Sequence, residues 1–152
     1  MTYQQYFSAT LLIVLVTFVA GCGGGVLKTN RVEGIVTHQG APLAEASVTF
    51  YPAGSGTTPA FGKTDASGKY CLQTLAGAVD AGTTPGEYTV TISKRKAVPT
   101  GRKISKGDGT DELEDELTMQ ETLPAKYTTV QSTPFKAIVE NKQVNTFDFT
   151  LE

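Results

Sequence analysis

The chain has 152 residues, with thirteen Lys and Arg against fifteen Asp and Glu, one His, two Cys and no Trp. That length fits one domain of ordinary size with additions, and a net charge of −2 argues against a nucleic-acid binder. Two Cys and one His exclude a disulfide scaffold, a zinc finger and a multi-His metal centre, so neither a metal nor a cofactor is expected.

No charged side chain precedes Lys28, and residues 7–20 (FSATLLIVLVTFVA) are almost wholly apolar. A spanning helix needs about 20 apolar residues, and Gly21-Cys22-Gly23-Gly24-Gly25 stops this run short. Its length is that of a signal-peptide core, with small residues at its end for a peptidase to grip. The ending Val19-Ala20-Gly21-Cys22 resembles a bacterial lipoprotein signal. The resemblance implies a diacylglycerol on the Cys22 sulfur, cleavage before Cys22 and acylation of the new amino terminus. Several acyl chains make a lasting anchor where one binds only marginally. An uncleaved anchor helix and a signal peptide without lipid are the other readings of the same run, since residues 1–10 (MTYQQYFSAT) hold no Lys or Arg. Gly23 beside Cys22, with no Asp, points to the outer membrane or the cell surface. The expected division is a signal peptide over 1–21, a Gly-rich tether over 22–30 and a domain over 31–152. The eight residues after Cys22 reach roughly 16 Å as a flexible coil, which holds the domain close to the membrane.

From Arg31 onward the period is two. Val32, Gly34 and Val36 alternate with polar residues, and residues 39–43 (QGAPL) make a turn. Ala46, Val48 and Phe50 alternate with Ser47 and Thr49. A short strand over 60–64 ends in Asp65-Ala66-Ser67-Gly68, where Asp opens a turn and Gly accepts a positive φ. Tyr70, Leu72 and Thr74 share a face, and after Pro85-Gly86 so do Tyr88, Val90 and Ile92. Strands over 135–140 and 146–151 close the chain, the last with Phe147, Phe149 and Leu151 inward and Asp148 and Thr150 outward. About seven short strands between Gly, Pro and Asn turns predict an all-β fold, a seven-stranded antiparallel β-sandwich.

The order Val32-Glu33-Gly34-Ile35-Val36, Gly40-Ala41-Pro42-Leu43, Ala46-Ser47-Val48-Thr49-Phe50, Thr64-Asp65-Ala66-Ser67-Gly68-Lys69-Tyr70 and Pro85-Gly86-Glu87-Tyr88-Thr89-Val90 resembles a carboxypeptidase regulatory-like domain of the transthyretin (prealbumin-like) type. Leu123-Pro124-Ala125-Lys126-Tyr127 and Asn145-Thr146-Phe147-Asp148-Phe149 are similar to end segments of small bacterial lipoproteins that carry it. Glu45 stands where the family usually has a small residue. The resemblance implies a non-catalytic seven-stranded module, since in the carboxypeptidases this domain accompanies the catalytic one.

Candidate chemistry is sparse. Residues 56–64 imitate a phosphate-binding loop, but the glycine spacing is one residue too long and no helix follows. His38 reads as a polar turn residue. Cys71, between Tyr70 and Leu72, is expected to face outward or cover a sheet edge, with an intermolecular disulfide as the other reading. Outward Asp148 excludes an inward Lys–Asn cross-link. Tyr51, Phe61, Tyr127 and Phe135 remain as aromatics able to meet a sugar. The segment 97–122 turns from basic to acidic, and Asp111, Glu114, Leu113 and Leu117 have the spacing of a capped, marginal helix in a solvated insertion. The expected function is a non-enzymatic, lipid-anchored envelope module with a binding or structural role toward a protein or glycan. A carbohydrate- or ligand-binding lipoprotein and an accessory domain of an envelope enzyme are the alternatives.

Overall fold

The computed structural model describes residues 29–54, 58–74, 82–105, 107, 109 and 113–152. The apolar run over 7–20, Cys22 and nearly all of the tether lie outside them. Within them the fold is all-β, twelve strands and one turn of helix.

The first sheet is built around β1 (Arg31–His38), which is flanked on one edge by β2 (Ala41–Pro42) and β5 (Lys69–Cys71). Gln39 and Gly40, with φ of 52° and 80°, make the two-residue reversal between β1 and β2. On its other edge β1 pairs with β11 (Val144–Thr146) and β12 (Phe149–Leu151), both parallel to it. This corrects the expectation of a wholly antiparallel fold. Arg31 faces Val144 and Val36 faces Phe149, the same offset of 113 residues, so β11 and β12 are one strand interrupted at Phe147-Asp148.

Side chains fill that interruption. The Asp148 carboxylate accepts the Ile35 N–H at 2.8 Å, and the Phe147 carbonyl accepts the Tyr70 hydroxyl at 2.8 Å. Burial holds the Tyr70 phenol far above its ordinary pKa, with the Asp148 charge adding to the effect, so it remains a donor. Gly34 makes the approach possible: a Cβ there would sit 1.8 Å from the Phe147 oxygen.

The second sheet is antiparallel in the order β10 (Lys136–Val139), β7 (Gly86–Ser93), β3 (Ser47–Pro52), β4 (Ala60–Lys63), β6 (Gln73–Thr74). Buried Leu72 is all that separates β5 from β6, so the chain changes sheets there. The inner faces meet around Phe50, whose ring centre lies 5.9 Å from those of Tyr88 and Phe147 and 6.2 Å from that of Phe149. Val32, Val36, Val48, Val90, Ile92 and Leu151 complete this core and are fully buried. The expected inward positions are therefore the observed ones, although Phe147 is only half-buried.

Two buried polar side chains fix the loops. Thr64 donates to the Leu43 carbonyl at 2.6 Å and accepts from the Ala46 N–H at 2.8 Å. Asn145 accepts from the Glu140 N–H and donates to the Glu140 carbonyl, closing the turn between β10 and β11. Between Leu43 and Ala46 the chain turns at Glu45, with φ of 59°. A non-Gly residue there is strained by about 1 kcal/mol or more. Glu45→Gly is accordingly expected to leave stability unchanged or raise it, and Glu45→Val to lower it by about 1–2 kcal/mol. Thermal melts of the two variants check this; equal melting temperatures would contradict it.

The segment predicted as a helix is instead a two-stranded antiparallel ribbon, β8 (Arg95–Ser105) with β9 (Leu113–Glu121) and a bulge between Pro99 and Lys103. Leu113, Asp115, Leu117, Met119 and Glu121 recur every second residue, which a strand places on one face and a helix does not. The single helical turn α1 (Ala125–Thr128) follows β9 and buries Tyr127.

Candidate functional site

The ribbon grows directly out of β7, with only Lys94 between Ser93 and Arg95. Glu121 ties down its base: one carboxylate oxygen accepts the N–H groups of Lys94, Thr122 and Leu123 at 2.9–3.1 Å, while the other lies 3.8 Å from the Arg95 guanidinium. Thr122 donates from both its N–H and its hydroxyl to the Lys94 carbonyl.

Where ribbon and second sheet join, an open cleft of about 440 Å³ is lined by Glu45, Ser47, Lys63, Ser93, Arg95 and Met119. Ser47 faces both Lys63 and Ser93 across the ladders, so all three project from the outer face of the sheet. The strained turn aims Glu45 at Lys63, with which it forms an exposed ion pair. Two hydroxyls, a thioether and paired charges can hold a polar group by hydrogen bonds and salt bridges. The alternating pattern of β8 and β9 was the available sequence signal for this site; the helical spacing of Leu113 and Leu117 concealed it.

A second cleft of about 330 Å³ brings Cys71 together with Lys63, Asp65, Lys69, Tyr70 and Gln73. Cys71 is half-buried on the edge strand β5, opposite Glu33, in line with the expected edge position. His38 sits at the end of β1 opposite Leu151, away from both clefts, and the structure does not bring it to Cys71. Among the described residues no group of three or more His, Cys, Asp and Glu could hold a metal ion.

The Asp65 turn forms as expected. Its carboxylate accepts the Ser67 hydroxyl at 2.7 Å and the N–H groups of Ser67 and Lys69 at 2.8 and 3.0 Å, and Gly68 has φ of 77°. The hydrogen bond from the Ser67 hydroxyl, then those from the Lys69 and Ser67 amides, hold the Asp65 carboxyl below its ordinary 3.8. A depressed carboxyl stabilises the fold above its unfolded pKa, and this contribution is lost as pH falls through the folded value. Asp65→Asn should therefore lower the melting temperature at neutral pH and reduce its further drop between about pH 5 and about pH 3. An acid limb unchanged by the substitution would contradict that.

Of the four aromatics expected to be available to a sugar, two are. Tyr51 and Phe61 are 38% and 41% exposed on the outer face of the second sheet, on adjacent strands. Tyr127 and Phe135 are not: their rings stack 5.5 Å apart, with Phe135 5.0 Å from Phe149. Asp148 is exposed, as predicted.

No family model and no curated protein matches the chain. Among solved structures, a 9R-lipoxygenase from Cyanothece PCC8801 is similar at a TM-score of 0.41 and 13% identity. The match covers 82% of this chain and 16% of that one. A likeness that low carries neither fold nor activity across. Among the described residues no helix is long and apolar enough to cross a membrane.

Proposed function

We propose that this chain is a lipid-anchored module of the bacterial cell envelope, held on the extracytoplasmic side of a membrane, with a binding or structural role and no catalytic one. The observation that carries the reading is Val19-Ala20-Gly21-Cys22 at the end of the apolar run, with glycines directly after it. A thiolate is the good nucleophile available at that point, and Cys22 is its source. The domain beyond the tether is read as carboxypeptidase regulatory-like. Counting β5–β6 and β11–β12 as single interrupted strands and β2 as part of a turn leaves seven strands in the two sheets, which supports that reading. The ribbon is then an insertion between two of them. The partners this reading implies are the membrane, through the lipid, and an envelope protein or glycan.

Cys22→Ala is expected to move the protein from the membrane to the soluble fraction or to stall its precursor. Fractionation of cells that express the variant checks this; normal processing with retention on the membrane would contradict it.

A second reading, carbohydrate binding, is favoured by Tyr51 and Phe61, which share one exposed face. Aromatic faces stack on sugar rings, so replacing both by Ala is expected to abolish retention on a glycan column; retention unchanged by the double substitution would contradict this reading.

A further inference from the structure

The outer face of the second sheet and one face of the ribbon meet at the cleft. Ser93 and Arg95, two residues apart, line one cleft with Ser47, Lys63 and Met119. On the ribbon that face carries Leu113, Leu117 and Met119, which are 60%, 59% and 61% exposed. On the sheet it carries Tyr51, Phe61 and Ile138, the last 63% exposed. On the ribbon, exposed apolar side chains thus alternate with paired charges, a composition that suits a contact surface.

The charges on the ribbon are sorted by strand. β8 holds Arg95, Lys96, Arg102 and Lys103 and no acid; β9 holds Glu114, Asp115, Glu116 and Glu121 and no base. Arg95 faces Glu121 and Lys103 faces Asp115, the latter in a 2.7 Å ion pair, and both pairs lie on the apolar face. We propose that this face is the interface of a twofold homodimer whose axis runs along the strands. Such an axis keeps the direction of the ribbons and exchanges their edges, so β8 of each copy lies over β9 of the other. Arg95 and Lys103 then face the partner subunit's Glu121 and the partner subunit's Asp115. Leu117 and Met119 cover the small-residue side of the facing ribbon, near the partner's Pro99 and the partner's Ala97. An axis across the strands would instead stack base on base and acid on acid, which is repulsive. The core of each copy lies behind its second sheet, so the two bodies stand on opposite sides of the contact. The nine residues of β9 at about 3.3 Å each make a ribbon about 30 Å long. Together with the five-stranded face it offers an area on the order of the ~800 Å² per partner of a stable interface.

Sedimentation of the full chain in a nonionic detergent tests the proposal, with circular dichroism to confirm that each variant is folded. The wild type is expected to be a dimer that weakens with salt. Leu117→Lys with Met119→Lys places bases over the partner's basic strand and should weaken dimerisation at least about 100-fold, whereas Ile104→Lys, on the other ribbon face, should change it less than about threefold. The axis is tested by mixing. Lys103→Asp alone and Asp115→Lys alone each oppose like charges across the interface and should each weaken association about tenfold or more. A one-to-one mixture of the two restores both attractions and should recover dimers. A monomeric wild type, an equal loss with Ile104→Lys, or a mixture no better than its components would overturn the proposal.

Discussion

Phe149→Ala is expected to destabilise the domain by about 3–5 kcal/mol, and Thr150→Ala, one residue on, by less than about 0.5 kcal/mol. Phe149 is 6% exposed and its ring meets those of Phe50, Tyr70 and Phe135 at centroid distances of 5.0–6.3 Å. Removing it opens a cavity between the two sheets that the three neighbouring aromatic rings cannot collapse to fill without leaving their rotamers. Thr150 is exposed and its hydroxyl accepts a hydrogen bond from that of Thr37, at 3.3 Å. Urea titration of both variants measures the difference. Equal losses would mean that the last strand is shifted by one residue, which would exchange its faces.

Gly34→Ala should be as damaging, by more than about 3 kcal/mol, although it adds one methyl group. The new carbon would lie 1.8 Å from the Phe147 oxygen and 2.6 Å from its carbonyl carbon, both backbone atoms with no rotamer to change. Relief requires moving Phe147 off β1. That breaks the hydrogen bond from the Phe147 amide to the Glu33 carbonyl, the one from the Tyr70 hydroxyl, and the one from the Ile35 amide to Asp148. Gly54→Ala meets nothing within 4 Å and serves as the control, expected within about 0.5 kcal/mol of wild type. A Gly34→Ala protein that melts with the control would show that the parallel strand does not dock beside Gly34.

Much of this fold is legible in the sequence because one physical rule, burial of alternate residues, wrote it. Val48, Phe50, Tyr88, Val90, Phe149 and Leu151 all follow period two and all are buried. The direction of the last strand was hidden for the same reason: alternation is identical whether a neighbour runs parallel or antiparallel. Interruptions were also out of reach. Nothing local to Phe147-Asp148 announces that a carboxylate will replace a backbone acceptor for Ile35, 113 residues away. In the ribbon two periods competed. Leu113 and Leu117 satisfy a helix, but Met119 and Glu121 extend the series only as a strand, and β8 supplies the partner that makes the strand stable. Thr89 and Thr91 project from the outer face yet are buried: they lie on an interior strand, where Thr89 faces Lys136 on one side and Tyr51 on the other and Thr91 faces Thr49. The cleft at the ribbon base joins residues from four separate stretches of the chain, and no spacing in the chain encodes such a meeting.

The anchor is the claim on which the functional reading turns, and the amino-terminal peptide of the protein purified from membranes tests it most directly. Mass spectrometry of that peptide is expected to show a chain beginning at Cys22, with a diacylglyceryl group on its sulfur and an acyl group on its amine. A chain still carrying residues 1–21, or one cleaved there with an unmodified Cys22, would contradict the account.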